Sequence, residues 1–227
     1  MKEKRITLIL SIALAVCAGA TIPTLISSIP PIEPYSVKSE VPYCVTPPSV
    51  PEQATFDGET IDLRRYDRRE RMDREMMSFT YMHSTTMLML KRANRYFPIV
   101  EPILKANGIP DDFKYLMVIE SSLNPIARSP AGAAGLWQFM PATGREFGLE
   151  VNDNIDERYN VEKATVAACK YFKQAYEKYG DWMAVSAAYN AGQGRITAQL
   201  DKQLADHAMD LWLVEETSRY MLSLIHI

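Results

Sequence analysis

The sequence predicts a mainly α-helical protein, and three observations support this. Residues 162–179 repeat apolar side chains at helical spacing, with Ala164, Ala168, Tyr171 and Ala175 on one face. Glycine and proline divide the rest of the chain into short helical segments. No alternating strand pattern of useful length appears. Residues 57–227 are enough for one buried core and too few for two large domains.

Composition excludes several classes of protein. The 227 residues carry a net charge of −3 with mixed signs, which does not suit a nucleic-acid binder that depends on a basic field. Only the N-terminal apolar run approaches membrane-spanning length, which excludes a multi-pass membrane protein. The three histidines are far apart and no CxxC pair occurs, so we expect no metal site and no cofactor.

Residues 1–20 are typical of a secretory signal peptide. Lys2, Lys4 and Arg5 precede the apolar stretch Ile6–Val16, and a small-residue cleavage site follows at 18–20. Two alternatives stay open: a lipoprotein signal, and an uncleaved anchor, because the uncharged run is long enough to span a membrane. Each predicts export to the periplasm or cell envelope, and the alternatives add membrane attachment through the N-terminus.

Proline dominates residues 21–56, which hold 8 of the 14 prolines in the chain. Proline removes backbone donors and restricts the residue before it, so this segment is predicted to be an unstructured tether. Residues 57–105 are predicted to form a helical N-terminal extension, with helix over 60–97. The charged run 64–75 mixes signs at short spacing and is typical of a solvated helix face.

Residues 106–221 are predicted to form the main helical domain. Pro110 and two aspartates favour a helix start, and the helix has to end near Asn124-Pro125 because of the proline. Residues 126–140 contain two glycines and are predicted to form a shaped loop. The predicted helices are Phe113–Ser121, a short one from Pro141 to Gly148, Glu162–Tyr179, Trp182–Ala191, and one over 195–207.

Glu120 is the candidate catalytic residue on physical grounds. It follows Phe113 by seven residues, Leu116 by four and Met117 by three, so it shares their apolar helix face. Burial and the negative end of the helix dipole both disfavour a charged carboxylate there and raise its pKa. Such a group is suited to hold and deliver a proton. The alternative is a glutamate that hydrogen-bonds to local backbone.

The segments around Glu120 resemble a known family. Residues 120–125 (ESSLNP), Ser129, residues 132–143 (GAAGLWQFMPAT) and residues 188–192 (AYNAG) are similar in order and spacing to the soluble lytic transglycosylase, or goose-lysozyme-like, family. The fuller match, over roughly 95–221, resembles its membrane-bound lytic murein transglycosylase D-type branch. The resemblance implies a lysozyme-like helical domain.

The resemblance also implies a function and a site. It implies cleavage of the β-1,4 bond between N-acetylmuramic acid and N-acetylglucosamine, with peptidoglycan glycan strands as the partner and a 1,6-anhydromuramic product. No protein partner is implied. Trp137 departs from the methionine of many relatives and is expected to alter a wall of the cleft. The residues matched are Glu120 as general acid and base, and Ser129, Gln138, Met140, Tyr189 and Asn190 as substrate-binding positions.

One carboxylate is enough if the substrate supplies its own nucleophile. Most glycosidases use two carboxylates, but the motif-bearing segments 121–145 and 182–192 contain no Asp or Glu. The nearest candidates lie between them, at Glu146, Asp153, Asp156 and Glu157, and are typical of caps or solvated residues. The muramic C6 hydroxyl can replace water as the attacking group. A lysozyme-type hydrolase, with water instead, is the alternative. A catalytically silent wall-binding module is a third hypothesis, which the presence of Glu120 opposes.

Residues 222–227 (LSLIHI) resemble the in-frame translation of a sequencing-library adaptor. We therefore expect this hexapeptide to take no part in the fold, and its deletion to leave thermal stability unchanged or higher. On this interpretation the natural chain continues past Met221.

Overall fold

The computed structural model describes residues 46–227, which begin with a β-hairpin. Strand β1 is Gln53–Phe56 and strand β2 is Glu59–Asp62, paired antiparallel with Gln53 opposite Asp62. Asp57 and Gly58 form the turn with φ of 48° and 77°, the positive values that a type I′ hairpin turn needs. The Asp-Gly pair is the signal that the sequence analysis missed.

The hairpin corrects two expectations. A strand pair exists where none was predicted, and the predicted tether is folded at its C-terminal end. Val50 and Phe56 are buried, and the Phe56 ring lies 5.9 Å from that of Phe113. Burial of these two side chains outweighs the effect of the neighbouring prolines. The predicted signal peptide and most of the predicted tether lie outside the described residues.

Two helices follow the hairpin. Helix α1 is Tyr66–Thr80 and helix α2 is His83–Ala106. The prediction of one helical segment over 60–97 began too early, because β2 occupies its start, and ended too soon. Helix α2 continues through Pro98 and Pro102 because its buried face packs in the core.

The remaining helices agree well with the sequence pattern. Asn160 accepts a hydrogen bond from the Lys163 amide at the start of α5 (Val161–Tyr179), and Asp181 accepts one from the Met183 amide at the start of α6 (Trp182–Ala191). Gly180 ends α5 with φ of 62°. These helices are α3 (Leu116–Ser121, after a 3₁₀ turn Asp111–Tyr115), α4 (Pro141–Glu146), α5 (Val161–Tyr179), α6 (Trp182–Ala191), α7 (Gln193–Gln203) and α8 (Glu215–His226).

Helix α5 lies at the centre, where it packs against α2 and α6. Phe172 on α5 contacts Phe113 and Trp137, with ring centroids 4.7 and 5.7 Å away. The Trp137 side chain is fully buried and its Nε1 donates to Thr165 Oγ1 at 3.0 Å. The expectation that Trp137 forms a cleft wall is therefore wrong, because its ring fills the core beneath the loop.

Helix α8 packs against α1, α3 and α6, and it includes most of the hexapeptide 222–227. Leu222 and Leu224 are 3% and 2% exposed, and Ser223 Oγ donates to Glu75 Oε2 at 2.8 Å. The expectation that these residues take no part in the fold is wrong, since they bury apolar surface. Their origin in an adaptor stays a prediction.

No helix within residues 46–227 is long and apolar enough to cross a membrane.

Deletion of residues 222–227 should lower the melting temperature, contrary to the expectation from sequence. Each buried leucine contributes about 1.5–3 kcal/mol, and 1 kcal/mol changes Tm by about 2–4 °C in a chain of this size. Calorimetry should show a loss of about 5 °C or more. Leu88→Ala, at a position 46% exposed on α2, should change Tm far less. An unchanged Tm after the deletion would contradict the packing of α8.

Candidate active site

Glu120 lies in the last turn of α3, the six-residue helix that ends at Ser121. Leu116 and Met117 on the same helix are fully buried and hold it against the core. The chain then reverses through Ser122 and Leu123, whose φ angles are 51° and 56°. This turn ends the helix one residue beyond Glu120, so the carboxyl projects from the edge of the core.

The Glu120 carboxyl has one direct hydrogen-bond partner among the described residues. The hydroxyl of Tyr220 on α8 donates to Glu120 Oε1 at 2.7 Å. Burial raises the pKa of Glu120 to about 7, while the Tyr220 hydrogen bond lowers it and the nearby Glu216 carboxylate raises it. Burial also raises the pKa of Tyr220 well above its usual value, so Tyr220 remains a donor.

The loop 127–140 folds back on itself through backbone hydrogen bonds. The Gly135 amide donates to Ala127 O at 2.9 Å, and Ala134 forms bridges with Arg128 and Phe139. Gln138 has a positive φ of 49°, and its Nε2 donates to Gly135 O at 2.8 Å. The side-chain nitrogen of Gln138 is thus bonded within the loop, and its side-chain carbonyl oxygen is the group that remains available to a ligand.

A buried arginine anchors this loop to the chain segment that follows it. Arg158 is 5% exposed, and its Nη1 donates to Gly132 O at 2.7 Å and to Phe139 O at 2.9 Å. Its Nε and Nη2 bind the two oxygens of Asp156 at 2.8 and 2.6 Å. The guanidinium holds the pKa of Asp156 below its usual range. Asp156 is therefore the counter-ion of Arg158, and it also caps the 3₁₀ turn Glu157–Tyr159.

Tyr189 and Asn190 come from α6. The Tyr189 hydroxyl donates to Trp137 O at 2.6 Å, and its ring packs edge-on against Tyr171 with centroids 5.1 Å apart. The hydroxyl is therefore engaged with backbone, and only part of the ring is open to the cleft. The Asn190 side chain makes no hydrogen bond to any residue in the range 46–227, which leaves its amide available to a ligand.

These elements border a cleft of about 740 Å³. A second hollow of about 310 Å³ adjoins it, and Glu120, Asn190 and Glu216 line both. Glu120 therefore lies where the two hollows meet, as a group acting on a bond between two bound sugars would. All six residues named from the sequence line the larger cleft: Glu120, Ser129, Gln138, Met140, Tyr189 and Asn190.

Sequence reasoning missed several residues that shape the site. Tyr220 and Glu216 lie in the segment, roughly 95–221, whose sequence resembles the family, but no role followed from helical spacing alone. Glu146 and Glu216 line the cleft as additional carboxylates. Arg158 was assigned no role, because a polar, irregular stretch is usually exposed. The pairing of Asp156 with Arg158 at a spacing of two was the available signal.

Comparison with known proteins identifies the family. Residues 97–209 match the family model described as the transglycosylase SLT domain. This part of the chain is a transglycosylase SLT domain. The match confirms the resemblance to this family found in the sequence, and it ends at residue 209, before α8 begins.

The SLT domain is similar to named lytic transglycosylases. Membrane-bound lytic murein transglycosylase D of Escherichia coli (strain K12) is 33% identical over 158 residues, which are 67% of this chain and 34% of that relative. The peptidoglycan transglycosylase of Escherichia phage T7 is 34% identical over 137 residues, 58% of this chain and 10% of its own length. This chain thus spans about a third of the first relative.

A solved structure confirms the fold class. The 70 kDa soluble lytic transglycosylase from Escherichia coli superposes with a TM-score of 0.50 and 25% identity, over 57% of this chain and 22% of that one. The mainly helical, lysozyme-like class predicted for the SLT domain is confirmed.

Gly135→Ala should disrupt the loop of the SLT domain far more than Gly132→Ala. Both glycines have positive φ, 79° and 93°, so each alanine adds backbone strain of about 1 kcal/mol. Only at Gly135 would the new Cβ meet another atom, Arg158 O at 1.9 Å. We expect denaturant unfolding to show a further loss of about 1–3 kcal/mol for Gly135→Ala. Equal losses would contradict the close approach of these two backbones.

Proposed function

We propose that the SLT domain is a peptidoglycan lytic transglycosylase. It cleaves the β-1,4 bond between N-acetylmuramic acid and N-acetylglucosamine and leaves a 1,6-anhydromuramic end. The observation that carries the proposal is a half-buried glutamate, with a pKa raised to about 7, at the junction of two hollows. The names of the relatives support the same activity.

Glu120 acts as both acid and base in this mechanism. Its protonated form donates to the glycosidic oxygen as the bond breaks, and the muramic N-acetyl group stabilises the sugar cation. The carboxylate then accepts the proton of the C6 hydroxyl as that oxygen closes the anhydro ring. Because the pKa of Glu120 is about 7, both forms are accessible near neutral pH, which suits a group that changes roles.

The other cleft residues bind and orient the glycan. The free amide of Asn190 can donate to and accept from an acetamido group directly beside the acid. The carbonyl oxygen of Gln138 can accept from an acetamido N–H, since its nitrogen is held by Gly135. Tyr189 contributes ring surface rather than its hydroxyl. Ser129 and Met140 complete the cleft wall.

Hydrolysis by water is the second candidate, because Glu216 supplies a carboxylate beside Glu120. Glu216 lines both hollows and raises the pKa of Glu120, so it is close enough to influence the reaction. An anhydro product is lighter than a hydrolysed product by one water. Mass spectrometry of muropeptides released from purified sacculi separates the two reactions directly. A fully hydrolysed product would overturn the proposed transglycosylase activity.

We also propose that the chain acts in the cell envelope. Peptidoglycan lies outside the cytoplasm, and residues 1–20 are typical of an export signal. The relative named membrane-bound supports this location. The proposed organisation is a signal peptide at 1–20, a proline-rich tether from 21 that becomes folded near Val50, an N-terminal extension to 105 and a catalytic domain over 106–221. Labelling with a lipid precursor tests whether a lipid holds the chain, and the mass of the exported protein distinguishes an uncleaved anchor from a cleaved signal.

Glu120→Gln should abolish turnover while retaining the fold. General acid catalysis contributes about 10²–10⁴-fold, and the amide cannot deliver a proton. The release of soluble muropeptides measures the loss. Glu146→Gln is the matched control, because Glu146 lines the same cleft without contacting Glu120 by any hydrogen bond in the described structure. A Glu120→Gln rate within about tenfold of wild type would contradict the role of the acid.

Glu120→Gln should also stabilise the protein selectively at alkaline pH. Burial raises the pKa from an ordinary 4.5 to about 7, so the folded state binds this proton more tightly than the unfolded state. That stability is present below 4.5 and is lost as the pH rises through about 7. Thermal unfolding should show the variant gaining over wild type above pH 7 and gaining little below pH 4.5. A pH-independent difference would argue against a buried, titrating Glu120.

A further inference from the structure

Glu75 is a buried carboxylate that the proposed reaction does not use. It lies on α1, outside the SLT match, and is 1% exposed. Its Oε1 accepts from Arg219 Nε at 2.5 Å, and its Oε2 accepts from Ser223 Oγ at 2.8 Å. Both partners are on α8. A buried charge that loses its partners is costly, so Glu75 constrains where α8 can lie.

A neighbouring face of α8 contacts the catalytic acid. Arg219 directly precedes Tyr220, whose hydroxyl donates to Glu120 Oε1 at 2.7 Å. One turn of α8 therefore joins the buried carboxylate of Glu75 to the half-buried carboxylate of Glu120. A small rotation or shift of α8 that weakened the pairing of Glu75 would also move the Tyr220 hydroxyl away from Glu120.

A second ion pair joins the same two helices and provides a natural comparison. Arg74 on α1 binds Glu215 at the start of α8, but both side chains are largely exposed, at 58% and 67%. Exposed pairs contribute little and tolerate movement. The Glu75 pair is the one with a buried carboxylate, at 2% side-chain exposure, and it lies next to Tyr220.

We propose that Glu75 is a positioning residue that holds α8 in the register at which Tyr220 meets the catalytic acid. Helix α1, from outside the SLT domain, thereby sets the geometry of the active site. This inference rests on the proposed role of Glu120 as the acid. Arg219 carries most of the connection, and Ser223 adds to it.

The direction in which the pKa of Glu120 shifts distinguishes a positioning role of Glu75 from a direct electrostatic effect of the Glu75 charge. Glu120 is faced by Tyr220 and Glu216 from α8 and by Tyr189 from α6, and Arg219 lines the hollow beside it. Loss of the Tyr220 hydrogen bond would raise the pKa of Glu120, since that bond stabilises the carboxylate. Removal of the Glu75 charge alone, which also frees the Arg219 cation, would lower the pKa of Glu120.

The experiment measures the pH dependence of kcat/KM on peptidoglycan for Glu75→Gln and Glu75→Ala in the full chain. Tyr220→Phe is the benchmark, and Glu215→Gln is the matched control in the exposed pair. Loss of catalysis at high pH reports deprotonation of the acid. We expect this high-pH limb of the kcat/KM profile to move to higher pH by about one unit in Tyr220→Phe. It should move in the same direction in both Glu75 variants. Glu215→Gln should leave it unchanged.

Further measurements make the outcome decisive. Tyr220→Phe combined with Glu75→Gln should shift the limb no further than Tyr220→Phe alone, because both act through one hydrogen bond. An unchanged limb, or a shift to lower pH, in a folded Glu75 variant would overturn the inference. If Glu75→Ala does not fold, Glu75→Gln carries the test because it keeps the side-chain volume.

A measurement that does not depend on enzymatic turnover tests the positioning role of Glu75 independently of the proposed function. Titration of the Glu120 carboxyl by carbon-13 NMR reports its pKa directly in each variant. If Glu120→Gln remains active, the proposed function fails, yet the titration still tests the link from Glu75. If Glu120→Gln is inactive and the titration does not respond to Glu75→Gln, only the positioning role fails.

Discussion

The helix that carries Glu120 is only six residues long, so the contacts around it determine where the carboxyl lies. Isolated helices of that length are not stable in water. Leu116 and Met117 fix its buried side, and the Tyr220 hydroxyl fixes the carboxyl itself from 100 residues further along the chain. The same hydrogen bond limits the effect of burial on the pKa of Glu120. Helix α8 and the groups that hold α8 are thus part of the acid's environment.

The loop 127–140 is also positioned by a side chain from outside it, in this case Arg158. Its backbone carbonyls would be costly to bury unpaired, and the Arg158 guanidinium satisfies two of them at Gly132 and Phe139. Asp156 balances the charge of Arg158 and orients its guanidinium group. Gly135 permits the close approach because no Cβ fits there. The cleft-lining positions on this irregular loop are therefore fixed by specific hydrogen bonds to Arg158.

Internal hydrogen bonds decide which polar groups the cleft can offer. The Tyr189 hydroxyl and the Gln138 amide nitrogen are occupied by backbone carbonyls, although residue type alone would assign both to substrate. Asn190 keeps its whole amide, at the point where the two hollows meet. Glu216 adds a negative charge that raises the pKa of Glu120 and helps to keep it protonated. The division between structural and ligand-binding groups therefore follows from geometry, since chemically equivalent groups serve both purposes.

The sequence by itself determined the local features of this protein: the helical class, the bounds of α6, the apolar face of α5, and Glu120 on a core-facing stripe. Each depends on residues within a few positions of one another, where periodicity and capping chemistry act directly. The short hairpin escaped detection because its signal was a single Asp-Gly turn, and α2 ran past its prolines because packing outweighed propensity. Only the tertiary structure decided the partners of Glu120 and Glu75, the anchoring of the loop by Arg158, and the burial of Trp137 and Leu224. Those interactions join residues far apart in sequence, and side-chain periodicity carries no information about which distant group will lie opposite.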